Sequence, residues 1–456
     1  MDIHWILYSC IVPVTVQGVQ ISLPLVGISV LLRLCVLWGR LSSGVINTLA
    51  ALLGVGALWM FYQTGVLYFA VLCLLVYVLL QTLTKHKGAI VAIVCVSFLI
   101  ICEGYIEQAE VWHRVRGSFL VLVMKVISLS FDLDVTTNKR GERIPPTIAA
   151  VPSFDSFVAY CFFPGTLVFG PFVTYTEHSK FLTKSPLSAP WLYSVLRSWL
   201  LCLLCLAMSS CVFSFLFPEP AWNKWLAAYS AAASFRFSHY FVSFLSESTV
   251  LAAGIGYQTS TTSTHRSSTS YSWSDFAVVR PLFIELPRSL GTVVTNWNLP
   301  MHLFLKSYVF KPSISYLGKF GAILCTYIAS AVLHGLNFQL AAVLLSIGVY
   351  AYIENVLRYR LSVHLNACVM DRPCPINCSH QHKKGSPLAW IVNIFFTLLA
   401  MFHLAYLGLM FGAQSHSESE LQAKGFSMFH TLRKWSHLNF LSHWVALVSY
   451  FIYLLL

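Results

Sequence analysis

His334 lies in the apolar run Ile328-Ala-Ser-Ala-Val-Leu-His-Gly-Leu-Asn-Phe-Gln-Leu-Ala-Ala-Val-Leu-Leu345 as its only ionisable side chain. An ionisable group at membrane depth is costly, so such a residue reads as functional by default. Thirty-six positions earlier, Trp297-Asn-Leu-Pro300 sets Asn298 just ahead of a proline-marked turn, where side chains are displayed more often than packed away. Gly335 lets another chain segment approach closely. An imidazole is a proton-transfer group, and with an asparagine on a separate segment it points to chemistry carried out inside a membrane. The other polar candidates have plainer readings. His239, His302 and His403 read as packing or snorkelling residues near an interface, and the scattered acids Glu103, Asp155, Glu247 and Glu354 as helix caps or loop linings.

The elements that must position these residues are transmembrane helices. The chain of 456 residues is 57% hydrophobic, 15% aromatic and only 10% charged, with a mean hydropathy of +0.70, where a soluble chain would carry about 25% charged residues. Apolar stretches near spanning length recur at Ile21–Leu37, Val66–Leu83, Gly88–Cys102, Ser118–Phe131, Leu192–Leu216, Phe320–Leu333, Leu340–Ile353, Ala389–Met410 and Trp444–Leu456. Weaker ones lie at Val45–Trp59, Phe154–Phe172 and Tyr229–Ala253, which brings the expected number to roughly ten to twelve spans. These runs lack the alternation of barrel strands, so the expected fold is all-α and polytopic. A single integral membrane domain is expected over 1–456. Pro13 interrupts the first apolar stretch, which suggests a short interfacial helix, and no cleaved signal peptide is evident.

A net charge of +12 in such a chain reports orientation and anionic head groups rather than nucleic acid. Arg33 and Arg40, Lys85 and Lys87, and Lys139-Arg-Gly-Glu-Arg143 follow odd-numbered spans, which makes that face cytosolic and the amino terminus lumenal or external. Arg358, Arg360, Lys383 and Lys384 place a later loop, 358–386, on the cytosolic side as well. Two segments stand apart. Residues 257–274 are Ser/Thr-rich and read as a flexible loop, whereas the stretch from about Phe276 to Lys319 is short-segmented and broken by proline. Broken backbone at membrane depth survives only where protein or a water-filled cavity covers it.

Most of the thirteen cysteines, among them Cys73, Cys95, Cys202, Cys205 and Cys211, lie singly in apolar runs and read as small core residues. The exception is the loop holding Cys368, Cys374, Cys378, His380 and His382. These groups could bind zinc, or Cys374 and Cys378 could form a disulfide on a lumenal face; the spacing follows no standard zinc motif, so no metal ligand is assigned. Asn377-Cys-Ser379 is formally a glycosylation sequon, unused on a cytosolic loop.

The combination Val294-Thr-Asn-Trp-Asn-Leu-Pro-Met301, Tyr308-Val-Phe-Lys311 and Ser330-Ala-Val-Leu-His-Gly335 resembles the membrane-bound O-acyltransferase family. Further stretches carry the resemblance nearly end to end, including Lys125-Val-Ile-Ser-Leu-Ser-Phe-Asp-Leu-Asp134, Gly165-Thr-Leu-Val-Phe-Gly-Pro171, Glu285-Leu-Pro-Arg-Ser289 and Phe402-His-Leu-Ala-Tyr-Leu-Gly408. The resemblance implies a multi-pass endoplasmic reticulum enzyme with an intramembrane tunnel. Its implied reaction moves a palmitoleoyl (cis-Δ9 C16:1) group from acyl-CoA to a serine of Wnt proteins, with no tightly bound cofactor. By the same resemblance His334 is the general base, kept neutral by desolvation. Asn298 orients the thioester or stabilises its oxyanion. Trp297, Arg288, Lys306 and Lys311 are candidate substrate contacts, the cations for CoA phosphates. A lipid O-acyltransferase of the same fold is the alternative, and a transporter with a His334 proton relay is a rival from another class, one that predicts inverted repeats and several facing ionisable groups.

Overall fold

The computed structural model describes residues 3–38, 41–106, 109–134, 136–137, 143–144, 146–182, 187–217, 223–256, 258–260, 270–272, 276–335, 337–375, 377–411 and 428–456. Helix follows helix along the chain, and among the described residues the only strands are two short antiparallel pairs, Thr136–Thr137 with Arg143–Ile144 and Gln258–Ser260 with Ser270–Ser272. The cause is the solvent: in lipid each backbone polar group must be satisfied within its own segment. Helix starts are written in the sequence. Ser42, Ser188, Ser289, Asn337 and Ser386 each accept a hydrogen bond from the backbone N–H three residues on, and Pro190, Pro300, Pro312 and Pro387 stand in first turns, where a missing N–H costs nothing.

Among the described residues seven helical segments are long and apolar enough to cross a membrane, or eight if the bent pair Met428–His437 and Leu441–Leu455 is one span. One of them, Ser43–Thr82, has 40 residues interrupted by a short turn at Gln63–Gly65. At 1.5 Å per residue that is about 60 Å of helix, enough for two crossings of a ~30 Å core. Helices Ala109–Asp132 and Lys224–Ala252 are long enough but too polar to count. They tolerate polarity because they are interior. Residues 243–252 of the second are buried throughout, and it packs against Val12–Leu37, Ala189–Ala207 and Pro387–Gly408. The fully buried Lys125 on the first donates to Tyr160 O at 3.0 Å and Thr166 Oγ1 at 2.6 Å.

Several sequence expectations need correction. Pro13 falls in the first turn of Val12–Leu37 and interrupts nothing, so helix runs from His4 to Leu37. Cys211 is no lone core thiol; it forms a disulfide with Cys10. Arg33 and Arg358 are buried, 1% and 0% exposed, so neither is a free interfacial charge. The Cys/His loop begins later than 358, because helix Phe338–His364 runs through that position. Residues 261–269 of the Ser/Thr-rich segment and 139–142 of the basic exit lie outside the described residues. The four acids do hold structure: Glu103 pairs with Arg116 at 3.3 Å, Asp155 accepts from Asn47 at 2.9 Å, Glu247 from Ser198 and the Val278 N–H, and Glu354 from Leu290 N–H and Arg358.

Close packing in helix Ser43–Tyr62 gives a sharp test. A Cβ at Gly54 would overlap the Phe162 carbonyl oxygen, whereas one at Gly56 would meet nothing within 4 Å. Gly54→Ala is expected to lower the thermal midpoint of the detergent-purified protein, through an overpacking cost of about 1–3 kcal/mol or more, with Gly56→Ala unchanged. Equal midpoints for the two variants would contradict this packing.

Candidate active site

A cavity of about 810 Å³ opens among the broken segments and the interior helices. Two short helices, Leu290–Trp297 and Leu299–Leu305, meet at Asn298 and form one wall. Lys224–Ala252 contributes Phe235, Arg236 and His239, and helix Lys311–Leu333, kinked at Gly318 (φ 67°), contributes Thr326, Tyr327 and Ser330. Leu340, Val343, Leu344 and Ile347 from Phe338–His364 give an apolar side. Another cavity, beside Tyr350 and His403, has about 10 Å³, room for no more than a water.

His334 does not sit inside a continuous helix. It ends Lys311–Leu333, donating its backbone N–H to Ser330 O at 3.1 Å, and Gly335 turns the chain with φ 95° before Asn337 caps the next helix. The positive φ suits glycine, and so does the crowding: a Cβ there would lie 2.6 Å from Arg116 Nη1 and 2.8 Å from both Glu103 carboxylate oxygens. The Glu103–Arg116 ion pair therefore rests on the chain next to His334. The His334 ring makes no hydrogen bond to a described residue, and the side chain lines the cavity.

Asn298 is an N-cap. Its Oδ1 accepts from Met301 N–H at 3.0 Å, which fixes the orientation of the carboxamide and leaves Nδ2 as the group free to donate. Behind it, His239 stacks on Trp297 at 4.6 Å between ring centroids, and its Nε2 is 3.1 Å from Trp297 O. Arg236 makes a two-pronged ion pair with Glu285, both contacts at 2.8 Å, and Tyr240 donates to the same carboxylate.

Of the candidate residues read from sequence, His334, Asn298, Trp297 and Lys306 line one cavity. Arg288 and Lys311 do not. Arg288 donates to Met370 O and Cys368 O at 3.1 and 3.2 Å, and burial pulls its guanidinium below its ordinary range. Lys311 is exposed at the start of its helix. Five ionisable residues of the lining carried no site assignment in the sequence: Arg116, Arg236, His239, His302 and Arg372. The available signal was helical spacing, since Arg236, His239 and Tyr240 share one face of a span. His403, in contrast, is a packing residue bonded to Ser442 Oγ at 2.7 Å. Four arginine or lysine side chains and three histidines thus line the cavity, with no carboxylate among the described lining residues. Such a space suits an anionic head attached to an apolar chain.

The chain belongs to the membrane-bound O-acyltransferase family, whose sequence pattern matches residues 107–367, the part that holds Asn298 and His334. It is a multi-pass membrane acyltransferase. The chain is similar to the human protein-serine O-palmitoleoyltransferase porcupine, at 39% identity over 99% of this chain and 97% of the relative. The Anopheles gambiae protein of that name is 33% identical over 78% of this chain and 72% of its own. Lysophospholipid acyltransferase 2 of Arabidopsis thaliana is 24% identical over 53% of this chain and 57% of its own.

Gly335→Ala is expected to cut acyl transfer by at least about tenfold in a folded protein, because displacement of a reacting group by an ångström can cost ~10²-fold. Turnover by the purified variant checks it, and an undiminished rate would show that the Arg116–Glu103 contact does not position His334.

Proposed function

We propose that this chain moves a palmitoleoyl group from coenzyme A to a serine hydroxyl of Wnt proteins in the endoplasmic reticulum membrane, working as one integral membrane domain. The supporting observation is the cavity that exposes a histidine and an oriented asparagine to one space with a basic lining and an apolar wall. Similarity to the human porcupine enzyme over nearly the whole length, against about half for the lysophospholipid acyltransferases, favours a protein acceptor. An acyl-CoA arriving from the cytosol and a secreted acceptor in the lumen can meet only within the bilayer, and a cavity among the helices suits that need.

In the proposed reaction the serine oxygen attacks the thioester carbonyl carbon while His334 takes the hydroxyl proton. The carbonyl electrons move onto oxygen, where Asn298 Nδ2 donates to the developing charge. The tetrahedral intermediate then collapses, the C–S bond breaks and the CoA thiolate leaves, taking up the proton from the imidazolium. Arg372 and Lys306 supply positive charge for the CoA phosphates, and Trp297, backed by His239, forms part of the wall. Arg288 has a different part, as an anchor for the loop that bears Arg372.

His334→Ala is expected to lower turnover by about 10²–10⁴-fold with expression intact; retention of a tenth or more of wild-type turnover would remove the general-base role. Asn298→Asp keeps an acceptor for the Met301 N–H but loses the donor, so it is expected to lose about 10²–10³-fold in kcat with little change in acyl-CoA affinity. Loss through affinity alone would make Asn298 a binding residue. The acceptor is tested by offering the purified protein an alkyne-tagged palmitoleoyl-CoA with a folded Wnt hairpin peptide or a lysophospholipid. Label on the peptide serine is expected; label on the lipid would favour the lipid acyltransferase reading.

A further inference from the structure

A second cluster of reactive side chains lies beside the cavity and has no part in acyl transfer. Cys368, Cys374, Cys378 and His380 each offer one ligand atom, and the four atoms lie within 4.8 Å of one another. Cys368 Sγ is 3.3 Å from Cys378 Sγ, and His380 Nδ1 is 3.7 Å from the sulfurs of both Cys368 and Cys374. Tetrahedral zinc, with Zn–S of about 2.3 Å and Zn–N of about 2.0 Å, sets its ligand atoms roughly 3.5–3.8 Å apart. A disulfide needs about 2.05 Å. These three separations lie within half an ångström of those between ligands about one ion, and the sulfur pair is not covalently bonded.

The hydrogen bonding around His380 supports the same reading. Ser362 Oγ donates its single proton to Ala367 O at 2.9 Å, so toward His380 Nε2, 3.0 Å away, it can only accept. That fixes the proton on Nε2 and leaves the Nδ1 lone pair directed at the sulfurs, as metal-bound imidazoles are held by an outer partner. The backbone is equally constrained. Cys368 N–H donates to His382 O at 2.9 Å and His382 N–H to Asn366 O at 3.0 Å. The carbonyls of Cys368, Val369 and Met370 accept from Arg288, Arg358 and Asn393. Such anchoring holds the ligands in place before any ion arrives.

We propose that Cys368, Cys374, Cys378 and His380 bind one zinc ion in a tetrahedral site that fixes the loop bearing Arg372 against the cavity. Thiolates with an imidazole select zinc among the common divalent ions, and four protein ligands leave no open position, so the site is structural. Its consequence for the enzyme is local: Arg372, between the first two ligands in sequence, lines the cavity, and the ion would hold it there. The free thiols that the site requires agree with a cytosolic loop flanked by the exposed Lys383 and Lys384.

The test is elemental analysis of the full-length protein purified in detergent without chelator, where about one zinc per chain is expected. The zinc should be released by a thiol-specific mercurial, and its X-ray absorption edge should report three sulfurs at about 2.3 Å and one nitrogen at about 2.0 Å. Cys374→Ser and His380→Ala should each lower the zinc content several-fold. A loop variant could fail to fold, so the release and the absorption spectrum are read on the unaltered protein. Less than about a tenth of a zinc per chain, a disulfide among these cysteines by mass spectrometry, or full zinc in both variants would overturn the proposal.

Discussion

Backbone groups freed at a helix break inside a bilayer have no water to turn to, and the rest of this structure depends on how that constraint is met. The chain breaks at Asn298 and again after His334, and each break is closed by its own residues. Asn298 and Asn337 cap the helices that follow, and Gly335 makes a turn that other residues resist. The breaks are then surrounded by protein and by the cavity itself. The cost of interrupting a helix is thus met by the same side chains that face the reaction space, so the site and the local fold share residues.

Polar support for the site follows the same rule at greater depth. Arg358 is fully buried, yet its guanidinium is used in full: it donates to Val369 O, Arg288 O, Met370 O, Glu354 and Asn393 and lies 4.5 Å over the Phe396 ring. Glu354 in turn accepts from Leu290 N–H, at the start of the short helix that leads to Asn298. Removing one member would strand the others as unpaired buried charges, which is far costlier than the net worth of the pairs. The cavity wall and the Cys/His loop are therefore joined through one ionic network.

Much of this was legible in the sequence, for identifiable reasons. A lone histidine in an apolar run and an asparagine before Leu-Pro stand out by residue type, and both line the cavity. The prolines between Phe276 and Lys319 announced broken backbone, and short helices are found there. What stayed hidden was pairing across distance. Arg33 and Arg358 read as interfacial charges because nothing local shows that Phe181 O or Val369 O will receive them. Cys211 read as a core thiol because Cys10 is 201 residues away. His239 read as packing, and it does pack, on Trp297, but in the wall of the site.

The central claim is that His334 and Asn298 act on one thioester within this cavity. A structure of the protein with a non-hydrolysable acyl-CoA analogue tests it most directly. The account predicts the carbonyl oxygen within about 3 Å of Asn298 Nδ2, the His334 ring facing the carbonyl carbon, and the acyl chain lying along Leu340, Val343 and Ile347. An acyl carbonyl bound out of reach of both side chains, with the cavity left to solvent or lipid, would contradict it.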